Sequence, residues 1–554
     1  MKRTRRCLSL LTCLTAVACD RSSGPGGAET GGTVILSTGA DADAIFSPIV
    51  RTTVGKTVAD NVYELLADIG DNLNVIGDAG FTPRIAKSWT WSADSLSISF
   101  ALDPRARWHD GRPLRSSDVK FSLGFFVDPA IQSLSASSLS NVDSISTPDS
   151  LTAVAWFKRR SPEQFFDLVY NLRILPEHRL ASIPRDKIAE SSEATNPVGS
   201  GPFRLVRWTR NETIEMEADT AAWFRRPLLD RVIVSVAPDP NAAVTRILAG
   251  EADFIEILRG DAVDRIKDNP HAIAMNYPSY DNGALHWNLR SADKRAHPIL
   301  SDRNLRRALA MGLDRAAVVQ NLLDTLGVVS QGPYVRAQSF VDTTVVAFKY
   351  DLAAANALLD SLGWKDTNAD SIRDKGGRRL ELSLLVPTSS GLRMRASVIL
   401  QGQFKKLGVQ IKVDQRESNA MNDVLFGTRK WDGVLLGWHP DPGSSGIAQS
   451  WSGRNAVPGG SNISLYANST FDAHLDSAQV SFDPAARKRH FLQAFEILNS
   501  DAPAIWLYEL RSAVGINKRI RPATLRPDAW WVHLDQWSIP NDQRIARDRV
   551  GLGK

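Results

Sequence analysis

The fold class is decided by LELSLLV (380–386), LRMRASVILQGQFKKL (392–407) with Gly408, and VQIKV (409–413). An apolar run of strand length is followed by a sixteen-residue amphipathic helix, a glycine stop and a second apolar run. Such a β-α-β unit implies two parallel strands joined by a right-handed crossover. Just upstream, DLAAANALLDSLGW (351–364) predicts another helix, with Asp351 as N-cap, a stripe at Leu352, Ala355, Leu359 and Leu362, and Gly363 as stop. Downstream, GVLLGW (433–438) reads as a buried strand running straight into HPDPGSSG. In open α/β sheets ligands collect beyond the carboxyl ends of strands, so this loop is a candidate binding edge.

At 554 residues the chain exceeds one hydrophobic core, and 43% hydrophobic composition fits a folded globular protein. Residues 1–18 read as a signal peptide: MKRTRR is basic, and CLSLLTCLTAVA is apolar but shorter than a membrane span. AVAC resembles a lipobox with Ala16 where Leu is usual, so Cys19 is the expected lipid attachment site. All three cysteines (Cys7, Cys13, Cys19) fall in this region, so the exported domain folds without disulfides. Residues 19–32 form a polar Gly/Ser-rich tether. Removing the four basic residues of MKRTRR leaves 62 basic against 61 acidic side chains, a near-neutral mature chain that gives no argument for nucleic acid.

RWHDGRPLRSSDVKFSL (107–123) places His109 and Asp110 close to Ser116 and Ser117, a composition that invites a catalytic reading. Neighbouring side chains on a strand point to opposite faces, however, and the serines stand where the helix DVKFSLGFFV begins. They are expected to start that helix. DTNADSIRDKGG (366–377) opens like a calcium loop but has Ser371 and Gly377 where Gly and Glu are required, so an Asx-rich turn is expected. No HExxH, GxSxG, GxxxxGK[ST] or GxGxxG motif occurs. Neither a cofactor nor a metal centre is expected, and the chain is read as a non-enzyme. Of the fifteen tryptophans, Trp438 and Trp451 flank the nominated loop.

Five blocks in order resemble the extracellular solute-binding proteins of family 5, the dipeptide/oligopeptide/nickel-type receptors of ABC importers. They are PRIAKSW through KFSL (83–123), NPVGSGPFRLVRW (196–208), LDRVIVSVAPDPNAAVTRILAGEADF (229–254), LHWNLRSADKRAHPILSDRNLRRALAMGLDRAAVV (285–319) and Tyr350 to Leu380. In the first block Asp103 stands where a basic residue is usual, and Arg115 replaces a Thr cap, so Ser116 is expected to cap instead.

The resemblance implies a two-lobed α/β periplasmic-binding-protein-like fold around a hinged ligand cleft. Lobe one would hold residues 33–280, with an extra subdomain at about 76–195, and residues 505–554; lobe two would hold residues 281–504. It makes WHDG a scaffold turn. It also implies a monomeric, lipid-anchored receptor that delivers a small solute, a peptide or related compound, to ABC permease subunits. Peptide receptors of the family place an aspartate three residues after the Trp of a GW..D motif to pair the ligand's ammonium, and Asp441 stands so in GWHPD, with His439 between. Tyr280, Trp287 and Asn288 are further cleft candidates. Arg393 lies near where some members hold a ligand carboxylate. Saccharides, nickel chelates and opine-like compounds are the family's other ligands, and Trp438 with Trp451 could stack on a sugar.

Overall fold

The computed structural model describes residues 30–549, apart from 259, 292, 342, 343, 346, 389, 418, 419, 422, 458 and 459. Cys19 and the signal segment lie outside these residues. One sheet of eleven strands runs through the molecule. In chain order its strands are β1 (Thr33–Thr38), β2 (Phe203–Thr209), β3 (Thr213–Ala218), β4 (Arg231–Val236), β5 (Phe254–Ile255) and β6 (Ala272–Trp287). Then come β7 (Gly327–Val329), β8 (Glu381–Pro387), β9 (Gln410–Arg416), β10 (Gly433–Trp438) and β11 (Ala504–Asn517). The spatial order is β9-β8-β10-β6-β11-β5-β1-β4-β3-β2, with β7 also paired to β11.

The β-α-β expectation holds in detail. β8 and β9 pair in parallel from Glu381↔Gln410 to Pro387↔Arg416, and the helix Gly391–Lys405 connects them. Leu382, Leu384 and Val386 pack beneath Ala396, Leu400 and Phe404 of that helix. Gly408 has φ +70°, the left-handed turn that the helix end needs. Asp351 caps the helix Leu352–Ser361 through the Ala354 N–H at 2.8 Å. The 366–377 segment makes Asx turns, in which the Ser371 and Ile372 N–H groups donate to Asp366 and Asp370.

Two large cores flank the sheet. The first gathers buried side chains from Val34 to Tyr280, adds Val335, and resumes from Val514 to Ile539. The second runs from Ala284 to Tyr508. Only β6 and β11 carry the sheet from one core to the other. Their mutual ladder breaks register between Pro278 and Asn282. The C-terminal segment is fastened to β1: buried Arg519 donates to Asp253 at 2.9 Å, to Asp548 at 2.6 Å and to the Thr33 carbonyl at 2.8 Å.

A separate four-stranded sheet, formed by strands Ala86–Trp91, Ser97–Leu102, Thr152–Phe157 and Val142–Asp149, builds out from the first core. The WHDG turn lies at its base. Gly111 has φ +84°, and Asp110 accepts from the Arg112 N–H at 3.1 Å. His109 joins this turn to NPVGSGPF: its Nε2 lies 3.0 Å from the Gly201 carbonyl, and its Nδ1 accepts from the Gly199 N–H at 3.3 Å. Gly199 must be glycine, because a Cβ there would lie 1.9 Å from the Val62 carbonyl oxygen. The two sequence blocks are therefore halves of one clasp.

The helix start differs from expectation. Ser116 is the first helical residue, and its hydroxyl donates to the Asp149 carbonyl at 2.5 Å. Arg115 is the N-cap, and its free N–H is taken by Asp118 at 2.8 Å. A carboxylate three residues into the helix replaces the hydroxyl cap.

Candidate functional site

β10 is an apolar strand held on both sides, antiparallel to β6 and parallel to β8, so its end is fixed in space. Trp438 pairs with Asn282 at that end, and the chain then turns through His439-Pro440-Asp441-Pro442. Two prolines restrict the backbone here. Gln338 Nε2 donates to the Asp441 carbonyl at 2.8 Å. The Ser444 N–H lies 3.2 Å from both Glu163 oxygens, which belong to the first core's side. Gly443 sits against Phe166, whose ring would lie 2.9 Å from an added Cβ. The loop thus spans the interval between the two cores.

Two chambers meet at this loop. The larger, about 520 Å³, is lined by Asn282, His286, Gln338, Trp438, Trp451 and Trp506. The smaller, about 330 Å³, lies among Lys56, Tyr170, Glu256, Tyr277, Asp528 and Trp530. His439 and Asp441 line both. A ligand extending through the two would pass these two side chains.

The electrostatics favour a cation. Asp441 is exposed to solvent where it lines the two chambers. Desolvation by the surrounding protein raises its pKa above the ordinary carboxylate value, Asp528 adds to that, and Lys56 and His439 oppose it. Glu256 is raised in the same way, by burial and then by Asp281. Burial works against protonation of His439, but its contact with Asp281 at 3.2 Å outweighs this and moves the pKa upward. Asp528 is already engaged, as Arg526 donates to its two oxygens at 3.0 and 2.8 Å. Asp441 forms no ion pair among the described residues.

Of the residues nominated from sequence, Trp438, His439, Asp441 and Trp451 come together on the chamber walls. Tyr280, Trp287 and Asn288 do not. Tyr280 is fully buried in the first core, with its hydroxyl 3.4 Å from the Ala337 carbonyl. Trp287 fills the second core against Phe404 and Gly433. Asn288 is a buried clamp that donates to the Arg429 and Trp431 carbonyls and accepts from Arg429 at 2.9 Å. All three lie on or just past β6, which is covered on both faces and buries them. Arg393 is half-buried beneath Gly437, where a Cβ would lie 2.7 Å from its Nη2, and it interacts with Tyr508 behind the chambers. Sequence reading missed His286, Trp506, Lys56, Glu256 and Asp528. They come from distant stretches of chain and carry no motif.

Residues 80–456 match the model of the bacterial extracellular solute-binding proteins, family 5. The chain belongs to this family. Family 5 relatives resemble it over nearly their whole length. The oligopeptide-binding protein AppA of Bacillus subtilis is 24% identical over 558 residues, covering 97% of this chain and 99% of that one. The solved structure of AppA with a nonapeptide superposes with a TM-score of 0.78 at 21% identity, covering 93% of this chain and all of that one. NikZ of Campylobacter jejuni, solved with Ni(L-His), gives 0.76 at 24% identity, covering 91% and 99%. These likenesses establish a two-lobed binding-protein fold, so the two cores are its lobes and the chambers occupy its cleft.

Proposed function

We propose that this family 5 protein is the lipid-anchored receptor of an ABC importer and captures peptides by their free amino terminus, with Asp441 pairing the ammonium group. One observation carries the reading. Asp441, on a backbone restricted by two prolines and by the Gln338 bond to its carbonyl, brings a carboxylate to the junction of both chambers, without an ion-pair partner among the described residues. The surrounding protein penalises that charge and raises its pKa, and an arriving counter-charge would offset the penalty. A rigid loop also loses little further freedom when ligand binds. The peptide-binding names of relatives such as AppA support the same ligand class. Anchoring rests on Cys19 of AVAC, and delivery to a permease rests on the family's role.

Calorimetry on Asp441→Asn tests the reading. The variant keeps the shape and loses the charge. Free-amine peptides should bind at least ~30-fold more weakly than to the parent, about 2 kcal/mol, and N-acetylated peptides should bind the two proteins alike. A parent protein that binds a neutral saccharide and no peptide overturns it.

A further inference from the structure

His286 stands on β6 opposite Val434 of β10 and Ala504 of β11, in the middle of the sheet. It is only 2% exposed, and neither Nδ1 nor Nε2 has a hydrogen-bond partner among the described residues. Burial drives its pKa down to about 3, so the ring is neutral and offers one donor and one acceptor. Three indoles enclose it. Trp451 stacks on it at 5.2 Å and 20°, Trp438 lies at 4.3 Å, and Trp506 meets it edge-on at 6.3 Å.

An imidazole is a poor choice for a dry aromatic core. Both of its polar atoms were hydrogen-bonded to water in the unfolded chain, and here neither is paired, a state that buried polar groups rarely occupy. A phenylalanine would fill the same space without that loss. The position makes sense where another molecule completes the bonds. His286 lines the larger chamber, and so does Asp441. Trp451 and Trp506 are buried, whereas Trp438 is partly exposed and is the one of the three indoles through which a ligand would reach the imidazole edge.

We propose that the larger chamber is a subsite for an aromatic side chain with a polar atom (a phenol, indole or imidazole) near the amino terminus of the bound peptide, and that His286 is the residue that selects it. This rests on the peptide reading of Asp441. The indole walls supply offset or edge-on ring contacts, which favour any aromatic group over an aliphatic one. His286 then separates tyrosine from phenylalanine, because a group left unbonded in a dry site discriminates strongly.

The experiment is calorimetry of the parent and His286→Phe with free-amine tetrapeptides, Xaa-Ala-Ala-Ala and Ala-Xaa-Ala-Ala, in which Xaa is Tyr, Phe or Leu. At one of the two positions the parent should prefer Tyr to Phe by at least about tenfold, and Phe to Leu. His286→Phe should bind the Phe peptide like the parent and lose the preference for Tyr. Nitrogen-15 shifts of the His286 ring in the parent give a readout independent of the variant's folding, and they should move with the Tyr peptide and not with the Leu one. Equal affinity for Tyr, Phe and Leu peptides, with N-acetylation still weakening binding, overturns the subsite and leaves the Asp441 reading standing. Loss of all peptide binding in the parent overturns both.

Discussion

Arg487 reaches from the helix Pro484–Asp501 of the second lobe to the Glu163 carboxylate of the first, and the two side chains are only 1% and 7% exposed. The same guanidinium donates to Ser444 Oγ at 3.0 Å and to the Ala478 carbonyl at 3.0 Å. Glu163 in turn receives the Ser444 N–H from the loop that carries Asp441. The pair is therefore a latch between the lobes, fastened beside the ligand loop. Removing one partner of a buried pair commonly costs ~3–5 kcal/mol, because the other is left uncompensated. Lobe separation offers water to the stranded charge, so the cost falls on the closed form. Glu163→Gln should raise the radius of gyration of the ligand-free protein in small-angle scattering and weaken ligand binding by at least about tenfold. An unchanged radius and affinity, with only a lower melting temperature, would show a purely structural pair.

The acidic groups beside the loop set opposite pH trends for the empty and loaded protein. Asp441 is raised by burial and by Asp528; Asp167 is raised by burial, then by Glu163 and Asp441. A carboxyl whose pKa is raised by folding contributes stability that is fully present below its unfolded pKa. That contribution is lost as pH rises through the folded value. The ligand-free protein should therefore lose stability from the ordinary carboxylate range upward, and Asp441→Asn should flatten part of that slope. Ligand ammonium needs the ionised form, so affinity for free-amine peptides should fall as pH is lowered through the same range. Binding should also release protons, which calorimetry in buffers of different ionisation enthalpy will register. N-acetylated peptides with a matching proton release would refute the coupling.

His109 belongs to the clasp between WHDG and NPVGSGPF and touches neither chamber. Burial holds its pKa below the ordinary histidine value. His109→Ala forfeits the bonds to Gly199 and Gly201 and should cost ~1–3 kcal/mol in chemical denaturation. Ligand affinity should stay within about twofold, since that cost lies away from the cleft. A hundredfold affinity loss in a folded variant would place the histidine in the binding machinery after all.

Cys19 is the expected acylation site. Cys19→Ser should release the protein from the membrane fraction or leave the precursor uncleaved. A variant that is processed and still partitions like the parent would dispose of the lipoprotein reading.

The sequence was legible where the determining interactions are local. Asp351 and Gly363 bound one helix, Gly408 closes another, and short apolar runs mark β8 to β10. The candidate site was legible along the GWHPD loop, where strand and prolines deliver Trp438, His439 and Asp441 together, and at Trp451 just beyond it. Tyr280, Trp287 and Asn288 were misplaced because a strand that threads between two cores buries side chains on both faces. Its partners on the neighbouring strands are 146 to 245 residues away, and no local period records them. His286 and the Glu163–Arg487 pair were invisible for a related reason: their partners come from elements far away in the chain. Ser116 was mistaken for a cap because the helix begins one residue earlier than its hydroxyl suggests: Asp118 binds the Arg115 N–H, and the Ser116 hydroxyl is spent on the Asp149 carbonyl.

The break in the β6–β11 ladder gives the cleft a mechanical character. Pro278 has no N–H to donate, and pairing resumes only at Asn282, so Ser279, Tyr280 and Asp281 form a short compliant section between two stiff spans. Asp281 is at once the end of that section and the partner of His439 in the ligand cavity. Bending the joint and rearranging the charges around a ligand are thus a single displacement. If a bound solute draws the two halves together, this joint would act as a torsion spring with its load applied at the pivot, and the stiffness of three residues would set how far they travel.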